Sequence, residues 1–257
     1  MSSTTLRAVT GLLAGKVALV TGAGGLVGRG IALRFARAGA AVVAHSRRSD
    51  VTALVEEIAA AGGRAVGMRA DLAHEDECRR LVRAAAEWCG GLDAVVNNAG
   101  VQPVQELAGM TATQWRAVVD VNLTSAFSCT QAAAEVLPAG GSVTHIASIE
   151  GTHPAVGHAH YSASKAALIM HARSAALEYG PRGIRINTVS PGLVDRPGLA
   201  EDWPDGVARW TGAAPLGRLG RPEDVGDACV FLASPMASWL TGNDLVVDGG
   251  MSARPTW

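Results

Sequence analysis

The sequence predicts an α/β fold: a doubly wound parallel sheet of about seven strands, with helices on both faces, in a single domain. Three observations predict it. Short β-branched runs alternate strictly with longer amphipathic ones from Lys16 to Val247. The short runs are largely apolar throughout, the pattern of strands buried on both faces. No proline-rich, low-complexity or repeated segment divides the 257 residues, a length that suits one large α/β domain.

In chain order, Val17–Thr21 reads as the first strand, and the glycines after it lead into a helix through Arg29–Ala38. Ala41–Ala44 is the second strand; the helix over Thr52–Ala61 that follows is ended by Gly62 and Gly63. Ala65–Arg69 is the third strand, and the helix over Glu75–Cys89 stops at Gly90 and Gly91. Ala94–Val96 is a short fourth strand. Helical patterns then cover Thr113–Val121 and Thr124–Leu137, the second stopped by Pro138. Ser142–Ala147 is the fifth strand, Tyr161–Tyr179 a long helix and Ile184–Val189 the sixth strand. A helix over Pro222–Leu232 precedes the last strand, Asp244–Val247.

Composition narrows the function. With 48% hydrophobic and 18% charged residues and a net charge of −1, nothing electrostatic calls for nucleic acid or an anionic membrane as partner. No apolar run approaches the ~20 residues needed to cross a bilayer. Residues 1–15 hold a single arginine and no long apolar core, so they read as an N-terminal extension rather than a secretory or transit signal. The cysteines Cys78, Cys89, Cys129 and Cys229 lack CxxC spacing, which fits reduced thiols in a cytoplasmic protein.

Two features carry chemistry. The chain has only two lysines, Lys16 and Lys165, and two tyrosines, Tyr161 and Tyr179. Tyr161 and Lys165 lie four apart, which on a helix sets the ammonium beside the phenol. A nearby cation favours phenolate. A group with an ordinary pKa of about 10 is thereby brought toward acid–base work near neutral pH. A solvated pair on a helix face is the plainer alternative. The second feature is the turn after the first strand, with Gly22, Gly24, Gly25, Leu26, Val27 and Gly28. Glycines let the backbone approach a pyrophosphate, and the following helix offers its unpaired N–H groups. A tight turn with no ligand is the alternative here.

The two features do not stand alone. The chain also carries Asn97-Asn98-Ala99-Gly100, Asn122, Ser148, Pro191-Gly192 and a tail with Pro215-Leu216-Gly217-Arg218, Arg221-Pro222-Glu223-Asp224-Val225, Leu240-Thr241-Gly242 and Val247-Asp248-Gly249-Gly250. In this order and spacing the chain, from about Lys16 to Met251, resembles the short-chain dehydrogenase/reductase family, in its compact single-domain branch, and within it the 3-oxoacyl-carrier-protein reductase-like members. The resemblance implies a Rossmann-type sheet and hydride transfer between a nicotinamide and a carbonyl or alcohol carbon. It implies one dinucleotide-binding and catalytic domain over residues 16–257, with a substrate lid near residues 193–214. Tyr161 is then the acid/base. Lys165 lowers its pKa and holds ribose hydroxyls, Ser148 binds the substrate oxygen, and Asn122 holds a relay water. The implied cofactor contacts are Gly22, Gly24, Gly25, Leu26, Val27, Gly28, Asp71, Leu72, Asn98, Ala99, Gly100, Tyr161, Lys165, Pro191, Gly192 and Val194.

Cofactor choice rests on the end of the second strand. No acidic residue stands there to take a ribose 2′-hydroxyl; Ser46, Arg47 and Arg48 do instead. A hydroxyl with guanidinium groups suits a 2′-phosphate, so NADP(H) is expected, with an NAD-dependent alcohol or sugar dehydrogenase as the alternative. A non-catalytic member of the family is a further, weaker alternative. Two positions depart from the family pattern: Leu26, where a glycine is usual, and Arg196, where a threonine is common. Glu150, His153, His158, Trp203 and Trp210 are the expected substrate contacts. His153, His158 and His160 invite a metal reading, but no carboxylate or cysteine of matching spacing accompanies them, and no metal is expected. A homotetramer is expected by resemblance. Small residues such as Ala126, Ala132, Ala133, Ala166, Ala172, Ala175 and Ala176 would let helices approach closely. Met251 and Trp257 in the tail would dock on a second partner.

Overall fold

The computed structural model describes residues 11–253. Seven strands form one sheet: β1 (Val17–Val20), β2 (Ala41–Ser46), β3 (Arg64–Arg69), β4 (Ala94–Asn97), β5 (Ser142–Ile146), β6 (Arg185–Pro191) and β7 (Asp244–Val247). All pairings are parallel and the spatial order is β3-β2-β1-β4-β5-β6-β7. The order reverses direction between β1 and β4. The loops leaving the carboxyl ends of these two strands diverge to opposite sides, and a crevice opens between them.

The helices are α1 (Leu26–Arg37), α2 (Thr52–Ala60), α3 (Glu75–Trp88), α4 (Ala112–Val119), α5 (Ser125–Val136), α6 (Ala159–Tyr179), α7 (Leu199–Asp202), α8 (Pro204–Ala213) and α9 (Pro222–Ala233). Their starts follow local chemistry. Thr111 and Gln114 cap α4 reciprocally. Glu75, Asp76 and Glu77 occupy the first turn of α3, where carboxylates complement the helix dipole.

Because side chains alternate across a strand, each strand feeds two cores. Ala18 and Val20 of β1 face a core with Ile31 and Phe35 of α1, Leu54 and Ile58 of α2, and Val225 and Cys229 of α9. Val17 and Leu19 face the opposite core, built on Leu81 and Val82 of α3, Cys129 of α5 and Ala172 of α6. The helices α1 and α9 meet at glycine: a Cβ on Gly30 would lie 2.3 Å from Pro222 Cβ, and one on Gly226 would lie 3.0 Å from the Gly30 carbonyl. No helix among the described residues is long and apolar enough to cross a membrane.

One expectation is corrected. The two helices expected over 113–121 and 124–137 are one continuous helical run, because Asp120–Thr124 forms a π turn that joins α4 to α5 without a break. The segment after Pro191-Gly192 folds into α7 and α8. Most of the small residues that would let helices approach closely pack within this chain. Ala126, Ala132, Ala133, Ala172, Ala175 and Ala176 are buried in this chain, and Ala166 alone of those named is exposed. Met251 sits half-buried in a final turn, whereas residues 1–10 and Trp257 lie outside the described residues.

Candidate active site

A cavity of about 760 Å³ fills the crevice at the carboxyl ends of β1, β4, β5 and β6. Its floor begins at the first turn. Gly22 has φ of 66°, a conformation that favours glycine, and donates its N–H to His45 Nδ1 at 3.2 Å. The other ring nitrogen of His45 donates to the Ala70 carbonyl at 3.0 Å. This arrangement needs the neutral imidazole, and burial lowers the pKa of His45 accordingly. Asn98 ties the turn to β4 by donating to the carbonyls of Thr21 at 2.8 Å and Gly22 at 3.2 Å. Gly28 passes so close that a Cβ would fall 2.2 Å from the Gly22 carbonyl oxygen. Leu26, the residue that departs from the family pattern, opens α1 at negative φ and lines the crevice without backbone strain.

Of the other expected cofactor contacts, Gly25, Val27, Asp71, Leu72, Ala99, Gly100, Pro191, Gly192 and Val194 line the crevice. Gly24, Ser46 and Arg48 are not among its lining residues. Gly24 packs on the loop beyond β2, where a Cβ would meet Ser49 Cβ at 2.7 Å. Ser46 is buried and donates its hydroxyl to the Ser49 carbonyl at 2.6 Å, so it shapes that loop instead of facing the crevice. Arg48 lies exposed. Arg47 does line the crevice, half-exposed and 3.8 Å from the Asp71 carboxylate. Asp71 also caps its own loop, accepting the Ala73 N–H at 3.1 Å.

At the other end, α6 brings Tyr161 and Lys165 to one face. Lys165 is buried, donates to the Ile146 carbonyl at the end of β5 at 2.7 Å, and stands 5.4 Å from the centroid of the Tyr161 ring. Burial pushes its ammonium down to about 8. Tyr161 goes the opposite way from the sequence expectation. Burial pushes its phenol up to about 12, the nearby Ser148 hydroxyl opposes that rise, and the Glu150 charge adds to it. The lysine does not offset this, because it lies over the ring and directs a hydrogen bond at backbone. Ser148 keeps its place through the Glu150 N–H, which its hydroxyl accepts at 3.1 Å.

Asn122 sits in the π turn and does not line the crevice. Its carbonyl accepts the Val101 N–H at 2.8 Å, and its amide donates to the Val101 carbonyl at 2.9 Å and to Ser164 Oγ at 3.1 Å. It thereby fixes the strand-end loop that carries Gly100, where a Cβ would lie 3.7 Å from Lys165 Nζ.

On the substrate side Glu150, His153, His158, Trp203 and Trp210 all line the crevice. His160 does not: it is fully buried, with Nδ1 accepting the Tyr161 N–H at 3.0 Å. Trp203 forms the joint between α7 and α8, stacked so close over Gly206 that a Cβ there would lie 1.9 Å from the indole. Arg196 lines the crevice and donates to Asp202 of α7 at 2.6 Å. Sequence reasoning missed Gln102 and His45 as lining residues. The signal for His45 was present, a histidine in an otherwise apolar strand.

Known proteins resemble the chain along nearly its whole length. A family model described as enoyl-(acyl carrier protein) reductase matches residues 22–252. The 2,5-dichloro-2,5-cyclohexadiene-1,4-diol dehydrogenase LinX of Sphingobium indicum is 39% identical over 243 residues, covering 93% of this chain and 97% of its own length. The L-rhamnose 1-dehydrogenase (NAD(P)(+)) of Azotobacter vinelandii is 40% identical over 250 residues, covering 93% and 98%. Among solved structures, a Burkholderia cenocepacia short-chain dehydrogenase in complex with NADP superposes with a TM-score of 0.87 at 35% identity, covering 93% of this chain and 99% of that one. A Serratia marcescens short-chain dehydrogenase/reductase mutant gives 0.88 at 34% identity, with coverage of 93% and 99%.

The depressed pKa of Lys165 has a consequence for stability. The folded protein gives up that proton at about 8, while the unfolded chain holds it to about 10.4, the ordinary lysine value. The wild type therefore bears the cost of the buried charge at neutral pH and regains stability as pH rises through that window. Lys165→Met has no such charge. Its stability relative to wild type should fall by up to about 3 kcal/mol between about pH 7 and pH 10, as read from urea denaturation at each pH. A difference independent of pH would mean that Lys165 titrates as a solvated lysine.

Proposed function

The chain belongs to the short-chain dehydrogenase/reductase family and is an NAD(P)-dependent oxidoreductase acting on CH–OH groups; on that premise we propose that it interconverts a carbonyl and a secondary alcohol on a small-to-medium molecule, with NADP(H) preferred and Tyr161 as acid/base. The observation that carries the reading is Tyr161 in the crevice wall together with Ser148, with the buried Lys165 ammonium over its ring. The residues at the first turn suit a dinucleotide: Gly22 and Gly28 leave no side chain between backbone and ligand. When bound, the nicotinamide supplies or accepts hydride.

Within this reading each side chain has one task. In reduction, Tyr161 gives its proton to the carbonyl oxygen as the carbon becomes tetrahedral; in oxidation it takes the proton from the hydroxyl. Its raised pKa keeps the donor protonated at neutral pH, which suits reduction, and makes oxidation, which needs the phenolate, favour alkaline pH. Ser148 binds the same substrate oxygen and stabilises charge developing on it. Lys165 uses one of its three N–H donors on Ile146, which leaves two for ribose hydroxyls and for steering the phenol proton. Asn122 acts by positioning the Gly100 loop beside Lys165. Residues 193–214, with α7 and α8, serve as the substrate lid, and their two tryptophans, Trp203 and Trp210, give the pocket an apolar wall.

The NADP preference rests on Arg47, which lines the crevice at the end of β2 where no acidic residue stands. The NADP complex of the Burkholderia cenocepacia relative supports it. The pairing of Arg47 with Asp71 favours the alternative, an NAD-dependent alcohol or sugar dehydrogenase, since a guanidinium already engaged is less available to phosphate. A homotetramer is the proposed assembly. Phe127 of α5 and Met170 and Leu177 of α6 stand exposed on one side of the sheet, apolar groups that a second copy would cover. Two independent two-fold contacts close a tetramer.

Three measurements bear on these assignments. Tyr161→Phe should lower turnover a hundredfold or more while leaving cofactor affinity nearly unchanged, on the order of a general acid/base contribution; steady-state kinetics with near-wild-type turnover would sink the mechanism. Arg47→Ala should raise the Michaelis constant for NADPH about ten- to a hundredfold, as for a lost charge-assisted contact, and change that for NADH little. A wild type that prefers NADH refutes the NADP assignment. Light scattering on a sizing column should give about four times the 26.3 kDa chain mass, and a monomer at micromolar concentration rules the assembly out.

A further inference from the structure

Beside Tyr161 the crevice wall holds a polar unit that the proton transfer does not use. Glu150, in the turn after β5, and His158, at the start of α6, both line the crevice and are mostly buried, each with 17% of its side chain exposed. The His158 ring stands edge-on to the Tyr161 ring, with centroids 6.1 Å apart. A carboxylate only accepts hydrogen bonds, so the 2.9 Å contact between Glu150 Oε2 and His158 Nδ1 fixes the proton on Nδ1. The carboxylate is itself held from two other sides. Gln102 donates to Oε1 at 2.9 Å and Ser162 donates to Oε2 at 3.3 Å. Three residues from three separate segments, Gln102, Glu150 and Ser162, thus fix the orientation and the tautomer of one imidazole.

That arrangement determines what the remaining nitrogen can recognise. With Nδ1 carrying the proton, Nε2 of the neutral ring is a lone-pair acceptor. It has no hydrogen-bond partner among the described residues, and it is not among their buried unpartnered atoms, unlike Nε2 of His145, His160 and His171. A hydroxyl satisfies such an acceptor, whereas an ether or a second carbonyl brings only another acceptor. The edge-on neighbour is the phenol that handles the reacting oxygen, and ring centroids 6.1 Å apart leave room for a second oxygen on a carbon next to the reacting one.

We propose that His158, oriented by Glu150, is a specificity residue that accepts a hydrogen bond from a second hydroxyl adjacent to the reacting carbon, so that the preferred substrate pair is a vicinal diol and its α-hydroxy ketone. This inference rests on the reading of Tyr161 as acid/base and adds the class of substrate. Gln102 and Ser162 are positioning residues in it, acting through the carboxylate. The apolar Trp203 and Trp210 across the same crevice take the remainder of the substrate.

The test compares three matched alcohols by the rate of cofactor reduction: styrene glycol, its methyl ether at the primary oxygen, and α-methylbenzyl alcohol. Wild type should favour the glycol over both analogues by about ten- to a hundredfold in kcat/KM, since either analogue leaves Nε2 without a donor. The loss should fall mainly on KM, because the second hydroxyl takes no part in the proton transfer. Whatever His158→Phe does to overall turnover, its ratio of glycol to ether should fall toward one. Glu150→Gln, which frees the tautomer, should reduce the discrimination against the ether more than that against the simple alcohol. Equal use of all three alcohols by wild type overturns this inference alone, as does a glycol preference that survives in His158→Phe. If wild type binds cofactor but oxidises none of the three and reduces none of the matching ketones, the reading of Tyr161 fails and the inference fails with it.

Discussion

Burying the ammonium of Lys165 carries a desolvation cost that in proteins amounts to several kcal/mol per ion. The arrangement of the active end follows from how that cost is offset. The ion lies at the carboxyl end of β5 and takes the last carbonyl of the strand, that of Ile146, as its hydrogen-bond acceptor. It also lies over the face of Tyr161, where the ring quadrupole attracts a cation. Both partners are fixed by secondary structure, the carbonyl by the sheet and the phenol by helical spacing. One pair of contacts therefore locks α6 to the edge of β5 and sets the phenol against Ser148. A flexible or solvated lysine would give no such registration. Its lowered pKa shows that the offset is partial, and the remaining stabilisation is left for whatever brings further acceptors to the ion.

The opposite end of the crevice is built by close approach rather than by charge. The first turn depends on a glycine at positive φ and on a second glycine beneath it, with no room for a side chain between them. His45 holds this turn from inside the sheet by accepting from Gly22 and donating to Ala70. A hydrocarbon side chain in its place would leave a buried N–H and a buried carbonyl without partners, each costing roughly 1–3 kcal/mol. The same logic recurs at Asn122, whose amide closes both backbone groups of Val101. Polar side chains in this protein thus do much of their work on backbone, holding the loops at the carboxyl ends of the strands.

Much of the fold could be read from residue pattern because strands buried on both faces have one composition and helices against them another. All seven strands were expected near where they lie. The expected break between two helices at residues 121–124 failed for a physical reason: a π turn keeps the chain helical while adding a residue to the turn. Hydrophobic period does not register that extra residue. The candidate site was partly legible. Tyr161 and Lys165 stood out as rare residues at helical spacing, the glycine turn by its place after the first strand, and Ser148 through the family resemblance. Ser46 was less legible, since a hydroxyl at a strand end serves a loop carbonyl as readily as a ligand, and its bond to Ser49 is a contact that only the fold reveals.

The sequence by itself determined the order of strands and helices, the place of the glycine turn and the pairing of phenol with lysine. These depend on local geometry: side-chain alternation in a strand, the helical repeat and the conformational freedom of glycine. Only the tertiary structure decided which groups face the crevice and what charge state they favour. It buried Lys165 and Tyr161 together, so that desolvation rather than the lysine governs the phenol. It turned Ser46 inward and left Arg47 at the rim beside Asp71. It brought Gln102, Glu150, His158 and Ser162 from separate segments into one hydrogen-bonded unit. Solvation and contacts between distant segments belong to the packed chain, and no stretch of sequence carries them alone.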